Sequence, residues 1–424
     1  MPCHARFLTK IKICYIDNIL SFILCCKHKL KILYFFRLLT EMKKPAVVDS
    51  RQFFCTHWRL WLLLGCAREP VRYQLLYRLY RTVVNALIIL FYPGTVLIAL
   101  CNSGNVNDLL QTLPICAAAL ACSAKYISYY RRLNLVRQVE QIFNALDEQI
   151  LLEEDREFFA GIHRGTNLIL NTLRGICVFL FAITAMAFAA SLENRDLAFA
   201  IELPFDWRAS TAAYVGAVAL ELLLLTCDLV QSLANDSFPA VALCVLTNHT
   251  RLLGARLSRI GHTGKDVQAN IRELQQCIID HQRLYRLQAI IEEIISMPVF
   301  IQYAVTAFQD CFTLITFIFY TNTVSDKVLY LTYLLALQLQ IFPLCYYGAA
   351  CAQSMDDLQQ GLYASNWIEQ DQVYRRLVTI LSQRSLKSTT VYAAGLIPIH
   401  LSTFVRTLQG AYSFYTFVEG VRKV

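Results

Sequence analysis

Charge is what this 424-residue chain has least of. Only 17% of its residues are Asp, Glu, Lys or Arg and 56% are apolar, where ordinary soluble domains carry about 25% charge. That balance argues against a soluble globular enzyme. Its 15 glycines follow no period and no heptad survives several turns, which excludes collagen-like and coiled-coil classes; aromatics at 12% exclude disorder. No C-x-x-C pair has metal-like spacing. The 16 cysteines are instead scattered singly through apolar stretches (Cys116, Cys122, Cys177, Cys227, Cys244, Cys311, Cys345), as small hydrophobes are. A Gly-rich phosphate loop, a nucleophile elbow and a metal motif are all missing, so no enzyme activity, catalytic residue, metal or cofactor is expected. His249, His281 and His400 share no ligand spacing and read as surface or cap residues. No basic stripe interleaved with aromatics occurs, so no nucleic-acid partner is expected.

What the chain does have is long uncharged runs. Thr82 to Asn107 spans 26 residues without an ionised side chain, Gly175 to Leu192 spans 18 and Val328 to Met355 spans 28. Each can cross a hydrocarbon core of about 30 Å. Scanning for windows of about 20 residues places seven spans: Thr82–Cys101, Leu109–Tyr130, Leu168–Ala190, Ala212–Leu233, Ile290–Tyr320, Val328–Cys351 and Leu396–Val418. The fourth continues as an amphipathic stretch to about Arg259. The fold class is therefore all-α, a polytopic membrane protein.

Basic residues alternate along the connections. Segments 131–167, 251–286 and 351–390 carry five, seven and four Lys/Arg, sixteen in all; the alternate set carries Arg195, Arg208, Lys327, Arg422 and Lys423, five in all. By the positive-inside rule the rich loops and the N-terminus face the cytoplasm and the C-terminus lies outside. A G-protein-coupled receptor has the opposite orientation. Cys101 is the only cysteine in or bordering the expected outer loops, so an outer disulfide has no partner. Glu154-Asp155-Arg156 reads as a solvated charge cluster. Residues 1–41 hold seven Lys/Arg against Asp17 and Glu41, a net +5 of the formal +8. They read as an unpacked basic extension ahead of Met42, with an amphipathic anchor as the alternative.

The expected organisation is the extension 1–41, a cytoplasmic pre-helix segment 42–81, helices one to six with long cytoplasmic loops over 82–350, a cytoplasmic amphipathic anchor helix in 351–390, and a seventh helix with the outer C-terminus in 391–424. The anchor reading rests on Leu358, Leu362, Trp367, Val373, Leu377 and Ile380 recurring at near-helical spacing between charged residues. In the seventh span Ser402, Thr403, Arg406, Thr407, Gln409 and Ser413 should face protein or water rather than lipid. Helix contacts around Gly410 and a pore wall are both open readings. Intramembrane carboxylates are functional candidates by default. Asp228 and Asp236 are expected in a wet lower half of helix four; Glu221 is left without an explanation. Asn235-Asp236-Ser237 and Asn248-His249-Thr250 match the glycosylation pattern but fall on the membrane or cytoplasmic side, where neither should be used.

From Asp280 onward an ordered set of fragments resembles the insect odorant receptor family. They are Asp280-His281-Gln282, Ile291-Glu292 with Ser296, Cys345-Tyr346-Tyr347-Gly348, Tyr363-Ala364-Ser365-Asn366-Trp367, Gln383-Arg384-Ser385, Gly395-Leu396-Ile397-Pro398 and Ala411 to Thr416. Leu203-Pro204-Phe205-Asp206 and Asn235-Asp236 extend the resemblance upstream. The sister gustatory class ends with Thr-Tyr, five apolar residues and Gln-Phe; Thr403-Phe404 followed by Gln409-Gly410 departs from that spacing. The resemblance implies a ligand-tuning subunit of an odorant-gated non-selective cation channel. It would form a heteromer, a tetramer, with a shared odorant co-receptor subunit, in the plasma membrane of olfactory sensory neuron dendrites. Its partners would be small volatile odorants and membrane lipid. A G-protein-coupled chemoreceptor, a gustatory-type receptor and a secondary transporter are the alternatives.

The resemblance also implies a ligand site in the outer half of the bundle. Tyr330, Tyr333 and Leu334 share one face at the start of helix six. Phe181 and Phe188 of helix three, Tyr214 and Val218 of helix four, and Leu113 and Cys116 of helix two are expected at similar depth, with ordinary bundle packing the alternative. Phe414, Val418 and Val421 lie at i, i+4 and i+7 near the end of helix seven and form a candidate hydrophobic gate, with Arg422 beside it.

Overall fold

The computed structural model describes residues 49–66, 73–150, 153–199, 201–319, 324–386 and 390–422. The chain divides into two compact units, Met1–Lys43 and Lys44–Val424, and every described residue belongs to the second. The expected extension over 1–41 lies outside the described residues. A 3-10 turn, Ser50–Phe54, leads into α1 (Cys55–Leu63). Helix α2 (Gln74–Asn85) passes through a π turn, Ala86–Phe91, into α3 (Tyr92–Cys101). Then follow α4 (Val106–Asp147), α5 (Glu153–Asn194), α6 (Thr211–Arg259), α7 (Val267–Phe319), α8 (Val324–Tyr363), α9 (Gln372–Ser385) and α10 (Leu401–Arg422).

Among the described residues, five helices are long and apolar enough to cross a membrane: the continuous Gln74–Cys101 and those of α5, α6, α7 and α8. Helices α4 and α10 lie at the other two expected spans; α4 carries Lys125 and α10 several dispersed polar residues. The 53 residues of α7 give a rod of roughly 80 Å, far longer than a hydrocarbon core of about 30 Å.

Helix α6 is the central element, buried on every side from Leu233 to Thr247. The segment before the first span is not a loose lead-in. Phe53, Phe54, Trp58 and Trp61 are all buried. Phe238 of α6 has the rings of Phe54, His57, Trp61 and Tyr129 within 5.4 to 5.9 Å of its own. His57 hydrogen-bonds Ser237 Oγ at 2.9 Å, and burial lowers its pKa to about 3, so it packs as a neutral ring.

Prolines interrupt the backbone ladder inside α4, α6, α7 and α8. Pro239 lacks the N–H that would bond the Asn235 carbonyl, and the Tyr129 hydroxyl donates to that oxygen instead, at 3.1 Å. In lipid such a carbonyl needs a partner, so Tyr129 makes the irregularity tolerable.

Several sequence expectations change here. His249 and His281 are buried, not surface residues: His249 Nε2 meets Ser50 Oγ at 2.9 Å, whose hydroxyl also bonds Asp147. His400 does act as a cap, accepting from Ser402 N at 3.2 Å. Asp155 is no solvated charge; it is buried and pairs with Arg259. Asn235, buried with its amide on the Cys122 carbonyl, is closed to glycosylation. The amphipathic stretch after residue 351 is two helices rather than one: α8 continues to Tyr363, and α9 restarts at Gln372 with Asp371 as its cap, accepting from Tyr374 N at 2.8 Å. The break exists because the intervening loop docks elsewhere. Asn366 N bonds Ile260 O at 3.1 Å over Gly261, whose φ of +86° and crowding by Asn366 leave no room for a side chain.

The start of α10 is fixed by a hairpin of two-residue strands, Tyr392–Ala393 against Ile397–Pro398, joined by Ala394, Gly395 and Leu396, the first two at φ 50° and 67°. Helix α7 holds it: Glu292 accepts from Tyr392 N, Ser296 Oγ donates to Tyr392 O, and Ala394 N donates to Ser296 O, all within 3.2 Å. Gly348 of α8 lies under Ile399, where a Cβ would collide with backbone.

Candidate functional site

Five helices, α4 to α8, converge on a cavity of about 130 Å³. Its wall is apolar where α5 faces it, through Leu173, Ile176, Cys177 and Leu180, and Val305, Ala336 and Leu337 continue that surface. A cavity of about 150 Å³ accommodates a benzene-sized molecule. The rest of the lining is polar for a membrane interior. Lys125, Asp228, Ser232, Asp236, Gln302, Gln309, Tyr333 and Gln340 all reach it.

The polar groups are organised around one ion pair. Lys125, 4% exposed, donates from Nζ to Asp236 Oδ1 and to Gln302 Oε1, both at 2.5 Å. The other Asp236 oxygen accepts from the Gln340 amide. Four helices are thereby joined through one lysine and one aspartate. Nearby, Gln309 Nε2 donates to the Tyr333 hydroxyl at 3.2 Å, and Gln338 Nε2 donates to both oxygens of the buried Asp310 at 2.8 and 2.9 Å. Asp236 is thus a buried group, not the wet one expected from the sequence, while Asp228 lines the cavity and is half-buried. Among the described residues, no group of three or more His, Cys, Asp or Glu is arranged to hold a metal.

Of the sequence candidates for ligand contact, Tyr333 reaches the cavity. Tyr330 and Leu334 are half-buried on the same helix, as are Phe181 on α5, Leu113 on α4 and Val218 on α6. The remaining three belong to the bundle end that carries the 195–210 loop. Cys116 packs in an apolar cluster with Tyr92, Val96, Ile201 and Leu224. The Phe188 ring meets Phe199 at 6.4 Å, and the Tyr214 hydroxyl donates to the Asp196 carbonyl at 3.2 Å. Glu221 finds its explanation there. It is buried and accepts from the backbone N–H groups of Phe199 and Ala198 at 2.8 and 3.4 Å, holding the loop on the bundle.

Sequence reasoning missed helix α7 as a wall, and with it Gln302 and Gln309. It also passed over Lys125, whose presence inside an otherwise apolar span was the available signal.

Helix α10 packs through Thr403, Thr407, Ala411 and Tyr415, which recur every four residues, with Phe404 beside them. Phe404 meets Phe342 of α8 edge-on at 5.6 Å. The opposite side is open and polar: Ser402, Arg406, Gln409, Ser413 and Thr416 form one exposed line. Phe414, also exposed, lies about a third of a turn from that line. The side chains of Val418, Val421 and Arg422 lie outside the described residues.

A bundle of long apolar helices around an interior cavity defines a multi-pass membrane protein. A family model described as 7tm Odorant receptor matches residues 105–412, and the chain belongs to the odorant receptor family. Odorant receptor 59a of Drosophila melanogaster is 32% identical over 399 residues, covering 89% of this chain and 99% of that protein. Odorant receptor 23a of the same organism is 32% identical over 313 residues, covering 72% and 81%. The solved structure of the insect olfactory receptor OR5 from Machilis hrabei in complex with eugenol shares the fold. Its TM-score is 0.68 at 15% identity, covering 88% of this chain and 100% of that one.

Proposed function

We propose that this receptor is the ligand-tuning subunit of a heteromeric, odorant-gated cation channel, with the α4–α8 cavity as its binding site. The observation that carries the reading is the separation of two polar features in one chain. The cavity lies between helices α4 to α8, while α10 turns its polar line away from the bundle. A lone receptor has no use for an exposed polar stripe on an apolar helix, whereas a channel subunit needs one to border water in the pore. The OR5 complex with eugenol supports a small aromatic volatile as the kind of molecule such a cavity takes. Exposed Val373 and Ile380 on α9 supply apolar surface for a neighbouring subunit, in keeping with the anchor role of 351–390. Phe414, Val418 and Val421, about a third of a turn or more around the helix from the polar line of α10, are the proposed gate, set where α10 turns from the pore water towards neighbouring helices. The N-terminus is cytoplasmic and the C-terminus extracellular, in the dendritic membrane of an olfactory neuron.

The test is expression with and without a co-receptor subunit, recording current against a panel of volatiles. Ligand-evoked cation current only in the co-expressed cells is the expected result; a G-protein response without current overturns it. Tyr333→Ala should reorder ligand potency at unchanged surface level. A tag after Val424 should be labelled on intact cells, and a tag before Met42 only after permeabilisation.

A further inference from the structure

The charges around the cavity do not balance. Lys125 is the one cation on its wall, and it is committed to Asp236 and Gln302. Asp236 has both oxygens occupied, by Lys125 and by Gln340. Asp228 lines the same cavity two helical turns away on α6, keeps part of its surface open, and among the described residues pairs with no cation. The Cys122 thiol, a weak donor, lies beside it and reaches the Asp228 backbone carbonyl at 3.9 Å. The next carboxylate, Asp310, is taken up by Gln338 and offers no compensation. With Asp228 ionised, a site of two carboxylates and one ammonium is one positive charge short. In a medium this apolar, a carboxylate without a partner is strongly unfavourable.

We infer that Asp228 is the counter-ion for a basic nitrogen, and that the cavity takes small aromatic or aliphatic amines in their ammonium form. The ammonium would meet Asp228, and the hydrocarbon part would lie against Leu173, Ile176 and Leu180 of α5. A neutral alcohol of the same shape leaves the charge uncompensated, and an acid adds a third negative group; the site should discriminate against both. This assignment rests on the cavity being the ligand site, as proposed above.

The experiment uses the purified full chain in lipid nanodiscs, with benzylamine and benzyl alcohol as probes of equal size. Binding is read as thermal stabilisation across a concentration series at neutral pH, alongside evoked current in co-expressing cells. The wild-type chain should bind benzylamine about tenfold more tightly than benzyl alcohol, the factor expected when one hydrogen bond becomes charge-assisted. Asp228→Asn should abolish that preference, and Asp228→Glu should keep it. Lys125 stays paired in both variants, so a general collapse of the site is distinguishable by loss of alcohol binding as well, and the Glu variant then decides the matter. Equal binding of the two probes by the wild-type chain, or a preference that survives Asp228→Asn, overturns the assignment while leaving the channel reading intact. Amine-selective stabilisation without current supports the assignment and counts against the channel reading alone.

Discussion

Replacing Lys125 by methionine removes the ammonium from the cavity wall and leaves Asp236 with the Gln340 amide as its partner. Lys125 and Asp236 are both buried. Stripping one member from a buried pair costs about 3–5 kcal/mol, chiefly the penalty of the stranded charge. That is between two and four decades in the folded-to-unfolded ratio. Asp236→Leu should cost a similar amount by stranding the lysine. The double variant removes both charges, and its remaining cost is the unpaired amides of Gln302 and Gln340, about 1–3 kcal/mol. Stability is read by titrating the purified chain with denaturing detergent and following helicity. The double variant should be more stable than either single one, with a coupling of at least about 3 kcal/mol in a double-mutant cycle. Additive effects would refute the ion pair as the organising contact of the site.

Glu221→Leu should free the 198–199 backbone and make the 195–210 loop cleavable by added protease, whereas Glu221→Gln, which keeps an acceptor, should give a smaller change. Gly348→Ala forces a Cβ into the backbone at Ile399 and should cost about 1–3 kcal/mol, seen as reduced thermal stability and reduced current per surface receptor. Asp147, outside the spans, has its pKa raised from 3.8 to about 6 because burial outweighs the Ser50 donors. A folded value above the unfolded one means the protonated form is favoured by folding, so this contribution to stability falls as pH rises from about 4 to 6, and Asp147→Asn should flatten thermal stability across that window. Val418→Ser should raise ligand-independent cation leak if the gate lies there; unchanged basal current at normal surface level would move the constriction elsewhere.

The spans were legible because an apolar run of twenty residues has few alternatives. The family fragments were legible too, and the structure gives several of them one physical task. Glu292 and Ser296 hold the hairpin, Gly395 turns it, Gly348 makes room for it, and the Tyr363–Trp367 segment docks on Gly261. The cavity was less legible. Its polar residues come from four helices separated by up to 215 positions, Lys125 to Gln340, and periodicity reports only that a residue faces inward, not what it meets there. Buried histidines escaped for the same reason: nothing local to His249 reveals that Ser50 will arrive from 199 residues away.

The length of α7 bears on how a small ligand can be felt far away. From Gln302, on the cavity wall, to Val267 at the helix start is 35 residues, or about 50 Å of continuous helix. Over that lever arm a tilt of about 5° at the cavity sweeps the far end through about 4 Å. Pro298 sits one turn from Gln302, and Pro239 and Pro343 stand in the same relation to Asp236 and Gln340. Three rods therefore share a softened joint at one level, next to the residues that touch the cavity. Displacements too small to notice at the binding site arrive at the opposite end of the molecule as movements the size of a side chain.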